Sequence, residues 1–177
     1  DNGKKVTRII SIANQKGGVG KTTTSVNLSA SLSMLGKQVL LVDLDPQGNA
    51  TMGCGINKND LSVSIFDWLT TTKPVEEIIK ETGAGFHLLP SNSDVTAAEI
   101  TLLGQDGREF VMRNRLLKES GSYDYVVVDC PPALNILTVN SLVASTGILV
   151  PMQCEYYALE GLAALMQTVE VIKTESN

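Results

Sequence analysis

Lys16-Gly17-Gly18-Val19-Gly20-Lys21-Thr22-Thr23 is the stretch on which the reading of this chain turns. Before it, Ile9-Ile10-Ser11-Ile12-Ala13 is an apolar run with the character of a buried strand; after it, Ser25 to Leu35 reads as a helix. A glycine-rich turn between a strand and a helix N-terminus makes a cradle for phosphate. Glycines let successive backbone N–H groups turn inward with no Cβ in the way. The start of the helix adds unpaired donors and partial positive charge. In that frame Gly17, Gly18, Val19, Gly20, Lys21, Thr22 and Thr23 line the phosphates of a nucleotide. Lys21 reaches the β- and γ-phosphates, and the Thr22 hydroxyl is placed to ligate Mg²⁺. A glycine turn without a ligand would leave Lys16, Lys21 and the run Thr22-Thr23-Thr24 in this order unexplained.

Working outward, the helix carries Val26, Leu28, Ala30, Leu32 and Leu35 and stops at Gly36, a residue suited to the position after a helix. Gln38 to Asp43 reads as the second strand, completing a βαβ unit. It runs into Asp43-Leu44-Asp45-Pro46-Gln47-Gly48-Asn49. In an open α/β sheet, ligands sit beyond the carboxyl ends of the strands. Residues i and i+2 of an extended segment face the same way, so Asp43 and Asp45 could both look at the nucleotide. The plainer alternative is that both only terminate a strand. Further on, Tyr123-Asp124-Tyr125-Val126-Val127-Val128-Asp129 is the clearest buried strand in the chain. An apolar strand ending in aspartate, downstream of a phosphate loop, is a Walker B pattern, and its carboxylate holds Mg²⁺.

Length and composition set the bounds. A chain of 177 residues with 43% hydrophobic and 19% charged residues suits one globular domain, 1–177, with a sizeable core. A net charge of −5 does not prepare it for broad electrostatic capture of nucleic acid, and Lys4-Lys5 is the longest basic run. No apolar run approaches the ~18 residues of a membrane span. The N-terminus is polar and unlike a signal peptide. Cys54, Cys130 and Cys154 are widely spaced, unlike a disulfide framework or a zinc site, and are read as structural residues of a cytoplasmic protein.

The remaining segments read as follows. Short helices are expected at Val63 to Leu69 and Pro74 to Lys80, and a short strand at Phe86 to Pro90. Ser91 to Asp94 is read as a capping cluster for a helix from Val95 to Leu103. His87, the single histidine, lies inside an apolar run and is read as a satisfied, partly buried side chain. Arg108 to Leu117 is an amphipathic helix whose Arg108, Arg113, Arg115 and Lys118 are read as a solvated face. A helix from Ile136 to Ala144, a fifth strand from Gly147 to Pro151 and a last helix from Leu159 to Ile172 complete the chain.

The phosphate loop departs from the commonest pattern, with Gln15 where a glycine is usual and an additional Lys16. This variant resembles the deviant Walker A loop of the ParA/MinD family of ATPases. Asp43-Leu44-Asp45-Pro46-Gln47-Gly48-Asn49 resembles that family's switch I. Cys130 to Asn135 resembles its switch II, and Pro151 to Gly161 also looks like the family. These motifs span most of residues 8 to 165, and the best match is to ParA/Soj-type partition ATPases.

The resemblance implies a three-layer P-loop NTPase fold, α/β with a mostly parallel central sheet flanked by helices. It implies ATP and Mg²⁺ as ligands, with Thr22, Asp43 and Asp129 around the metal. Lys16, Lys21 and Asp45 become the catalytic groups: Lys16 enters the partner's site across an ATP-dependent homodimer, and Asp45 orients water. Glu155 contacts ribose or the partner, or is simply a carboxylate at a helix start. A ParB-like centromere-binding protein and non-specific DNA are the implied partners, with no membrane, and the location is cytoplasmic and nucleoid-associated. Family members usually continue through further strands and helices, so a chain lacking the C-terminal part, with its DNA surface incomplete, is expected. Rival readings are a MinD-like positioning ATPase, an iron–sulfur ATPase, a small-molecule kinase on the same fold and a non-enzymatic fragment.

Overall fold

The computed structural model describes residues 6–13, 21–151 and 167, with Lys21 and Thr23 described by their backbone alone. Among the described residues, six strands form one sheet: β1 (Arg8–Ile12), β2 (Val39–Asp43), β3 (Lys80–Glu81), β4 (His87–Leu89), β5 (Tyr125–Asp129) and β6 (Gly147–Leu149). Their order is β3-β4-β2-β5-β1-β6. Every neighbouring pair is parallel except β3 with β4.

The helices are α1 (Lys21–Met34), α2 (Asn49–Gly53), α3 (Ile65–Thr70), α4 (Val95–Leu103), α5 (Val111–Glu119) and α6 (Ile136–Ala144). Alternate strand residues go to opposite faces, and both faces are covered. Leu40, Val42, Val126 and Val128 pack with residues of α3, α4, α5 and α6. Val39, Leu41, Val127 and Ile12 pack against Val26, Leu28, Ala30 and Leu32 of α1. That double burial is why β2 and β5 read as unbroken apolar runs. The expected three-layer, mostly parallel fold is present.

Local chemistry explains most boundaries. α1 starts at Lys21, four residues before the expected Ser25. It ends as expected: Gly36 takes φ 82°, the Gly36 N–H donates to Ser33 O and the Lys37 N–H donates to Leu32 O. This is the glycine-dependent Schellman ending. α3 opens with a reciprocal capping box between Ser64 and Asp67. α6 is capped by Asn135, whose side-chain oxygen accepts from Leu137 N–H at 3.0 Å and Thr138 N–H at 3.2 Å.

Some expectations fail for tertiary reasons. The helix expected from Pro74 to Lys80 is a single 3-10 turn, Val75–Glu77, followed by β3. The Glu119 carboxylate takes the Val75 N–H at 2.9 Å, and antiparallel pairing with β4 captures Lys80 and Glu81. Arg108 to Leu117 divides into a 3-10 turn, Arg108–Phe110, and α5. Its Arg115 is not on a solvated face. The guanidinium lies 5.6 Å from the Trp68 ring centroid, pairs with Glu119 at 3.0 Å and donates to the carbonyls of Thr71 and Lys73. Glu119 also accepts from Trp68 Nε1 at 2.7 Å, so this group clamps the 71–75 segment onto α5. The strand expected from Gly147 to Pro151 ends at Leu149. His87 is half-buried and satisfied, its Nδ1 sharing a 2.8 Å hydrogen bond with the Tyr123 hydroxyl. The helix expected from Leu159 to Ile172 lies almost wholly outside the described residues.

Candidate functional site

The three central strands finish level with one another. Ile12 on β1 and Asp43 on β2 both stand in register with Asp129 on β5. The chain leaves β1 at Ala13 and returns at Lys21 as the first residue of α1. A helix N-terminus therefore stands beside two buried aspartates at the carboxyl edge of the sheet. Asp43 and Asp129 are both fully buried, and Asp45 is 5% exposed.

Two hydroxyls of α1 converge on Asp129. Ser25 donates to its Oδ1 at 2.8 Å, and Thr22 donates to its Oδ2 at 3.3 Å. Thr22 and Ser25 are three residues apart, so the helix presents them on one face. Asp43 is held differently. Its Oδ2 accepts from the Thr51 N–H at 2.8 Å and the Thr51 hydroxyl at 2.7 Å, and its Oδ1 accepts from the Asp45 N–H at 3.1 Å. Burial, reinforced by the charge of Asp129, pushes the Asp43 carboxyl up to about 7 from 3.8 despite these donors.

The Asp45 segment is a tight turn. Asp45 Oδ1 accepts from the Gln47 N–H at 2.9 Å, and the Asp45 carbonyl accepts from the Gly48 N–H at 2.9 Å. Gly48 takes φ 62°, a left-handed conformation that favours glycine. Lys58 Nζ donates to the Gln47 carbonyl at 2.5 Å.

Thr22 and Asp129 fit a hard divalent cation. A hydroxyl and a carboxylate meet at the head of a helix, and oxygen donors of this kind suit Mg²⁺ better than softer metals. Asp43 is close, and each of its oxygens is held by a backbone N–H, of Asp45 or Thr51. Lys16, Gly17, Gly18, Val19, Gly20 and Glu155 lie outside the described residues, as do the side chains of Lys21 and Thr23. The residues that sequence reasoning missed are Ser25, Thr51 and Ser91. Ser25 carried a faint signal, one turn beyond Thr22 on the same helix. Thr51 and Ser91 carried none, because their partners are distant in sequence or depend on the turn between.

This fold, with its helix start beside two strand-end aspartates, is that of a P-loop NTPase. A family model described as an AAA domain matches residues 7–177. The chain is 47% identical over 173 residues to the chromosome partitioning protein ParA of Myxococcus xanthus, covering 97% of this chain and 61% of that protein. It is 48% identical over 171 residues to the sporulation initiation inhibitor protein Soj of Bacillus subtilis strain 168, covering 96% of this chain and 68% of Soj. Among solved structures, it is similar to cobyrinic acid a,c-diamide synthase from Mycobacterium smegmatis with bound ADP and magnesium. That match has a TM-score of 0.93 and 41% identity, over 97% of this chain and 70% of the other. The chain belongs to the AAA-domain family, in its ParA/Soj branch. It spans somewhat under two thirds of the length of the first curated relatives it matches, 65% and 61% for two of them. Among the described residues, no helix is long and apolar enough to cross a membrane.

Proposed function

We propose that this chain is the nucleotide-switching part of a partition ATPase. The observation that carries this reading is the convergence of Thr22 and Ser25 of α1 on Asp129, level with Asp43. ATP is the nucleotide, with its phosphates at the loop between β1 and α1. Thr22 and Asp129 would hold Mg²⁺, which would supply neutralisation of the phosphate charge. Asp43 keeps the following turn in place through Thr51. Asp45 orients the attacking water. Lys21 contacts the phosphates, and Lys16 reaches the site of a second copy across an ATP-dependent homodimer, acting as an arginine finger does elsewhere. Hydrolysis relaxes the Asp45 and Cys130–Asn135 segments, and the copies separate. A ParB-like centromere-binding protein as stimulator, and non-specific DNA as the track, belong to this reading through the resemblance alone.

The test is the mass in solution of Asp45→Ala, by light scattering, with Mg²⁺ and ATP and then with ADP. A dimer with ATP and a monomer with ADP support the switch. A monomer in both removes the nucleotide sandwich. The name of the M. smegmatis neighbour favours a second reading, ATP-driven amide formation. In that case phosphate release would require an added carboxylic acid and nitrogen donor. The partition reading expects release from ATP and Mg²⁺ alone.

A further inference from the structure

Ser91 lies just beyond the carboxyl end of β4, where sequence reasoning placed a helix-capping cluster. It does not cap. The residue before α4 makes no side-chain capping bond, and Ser91 faces the Asp45 turn instead. Its hydroxyl donates to the Asp45 carbonyl at 2.6 Å, across 46 residues of sequence. Its N–H donates to the Thr51 hydroxyl at 2.9 Å, and that hydroxyl donates to Asp43 at 2.7 Å. Its carbonyl limits the same turn sterically, since a Cβ on Gly48 would stand 2.9 Å from Ser91 O. Ser91 and Thr51 are both fully buried.

We infer that Ser91 is a positioning residue for the hydrolytic step: it registers the Asp45 turn against β4 and thereby sets where the Asp45 carboxylate stands. This rests on the role of Asp45 proposed above. The turn itself is locally determined, because its bonds from Gln47 and Gly48 lie within it. Its location is not local. Ser91 grips the turn at the start, at Asp45, while Thr51 ties its end to Asp43. Without the Ser91 hydroxyl the turn keeps its shape and its ties from Lys58 and to Asp43, and loses its bond to the segment after β4. The phosphate-binding loop leaves from β1, two strands away from β2, with β5 between them. Nucleotide affinity should therefore survive a change at Ser91 while turnover suffers. A displacement of about 1 Å in a positioned group can cost on the order of a hundredfold in rate.

The experiment compares Ser91→Ala, Asp45→Ala and the double variant of the full chain, measuring kcat, KM for ATP and thermal midpoint. Ser91→Ala should lower kcat by roughly tenfold with KM nearly unchanged, and should cost nothing further in the Asp45→Ala background. Ser91→Cys keeps the side-chain shape with a weaker donor; it should show a smaller loss of the same kind and stands in if Ser91→Ala does not fold. Full kcat in a folded Ser91 variant, with Asp45→Ala impaired, overturns the inference and leaves the role of Asp45 intact. So does an equal loss in both backgrounds, or a loss of nucleotide affinity alongside turnover. Full turnover in Asp45→Ala overturns the role of Asp45, and the inference with it.

Discussion

Asp43 and Asp129 are the same residue at the same level on neighbouring parallel strands, yet they are held in opposite ways. The partners of Asp129 include the hydroxyls of Thr22 and Ser25, side chains that can rotate and share an oxygen with a cation. Two of the three donors to Asp43 are backbone N–H groups, of Thr51 and Asp45, which cannot leave without moving the chain. The two carboxylates differ in these donors: hydroxyls of a neighbouring helix reach Asp129, and backbone N–H groups of the following segment reach Asp43. Adjacent carboxylates at a strand edge need not be held alike.

The largest expected effect breaks the β5 side. Asp129→Ala should reduce Mg²⁺-dependent phosphate release from ATP on the order of a thousandfold. Turnover within tenfold of the parent chain would remove Asp129 from the metal site.

The next concerns Asp43. Its folded-state carboxyl is raised to about 7 from 3.8, so the folded chain keeps a proton that the unfolded chain gives up first. Its contribution to stability is full below about pH 3.8 and is lost as pH rises towards 7, with a slope approaching about 1.4 kcal/mol per pH unit. Urea unfolding of the nucleotide-free chain at a series of pH values should show this slope, and Asp43→Asn should flatten it. An unchanged slope in that variant assigns it to another group.

Thr51→Val removes one donor to Asp43 and the acceptor for the Ser91 N–H, both buried. It should cost about 1–3 kcal/mol in unfolding free energy. A neutral result would mean that the β2 end tolerates the loss of these bonds. The smallest effect tests Ser25, whose hydroxyl donates to Asp129. Ser25→Ala should raise the Mg²⁺ concentration for half-maximal turnover by about tenfold, leaving the thermal midpoint nearly unchanged. If only stability shifts, the Ser25 hydroxyl serves the core and not the metal.

Much of this was legible before any coordinates. The glycine-rich loop, the helix after it and runs such as Val39-Leu40-Leu41-Val42 and Val126-Val127-Val128 gave buried strands and a βαβ unit, and the family resemblance implied the mostly parallel sheet flanked by helices. α4 and α6 begin and end where the apolar segments do. β3 was not legible, since Lys80-Glu81 has no strand pattern and is held by pairing with β4. Nor was Arg115, whose charge suggests solvent and whose planar guanidinium instead stacks over Trp68 and serves two carbonyls.

The sequence by itself determined the fold class, the family and the identity of the residues at the strand ends, because local periodicity and loop chemistry are carried by neighbours along the chain. Only the tertiary structure decided what each of those residues touches. Asp43 accepts from Thr51, Asp129 accepts from hydroxyls of α1, and the Asp45 carbonyl accepts from Ser91. Hydrogen bonds across 46 or 104 residues are formed by packing, and no spacing along the chain announces them.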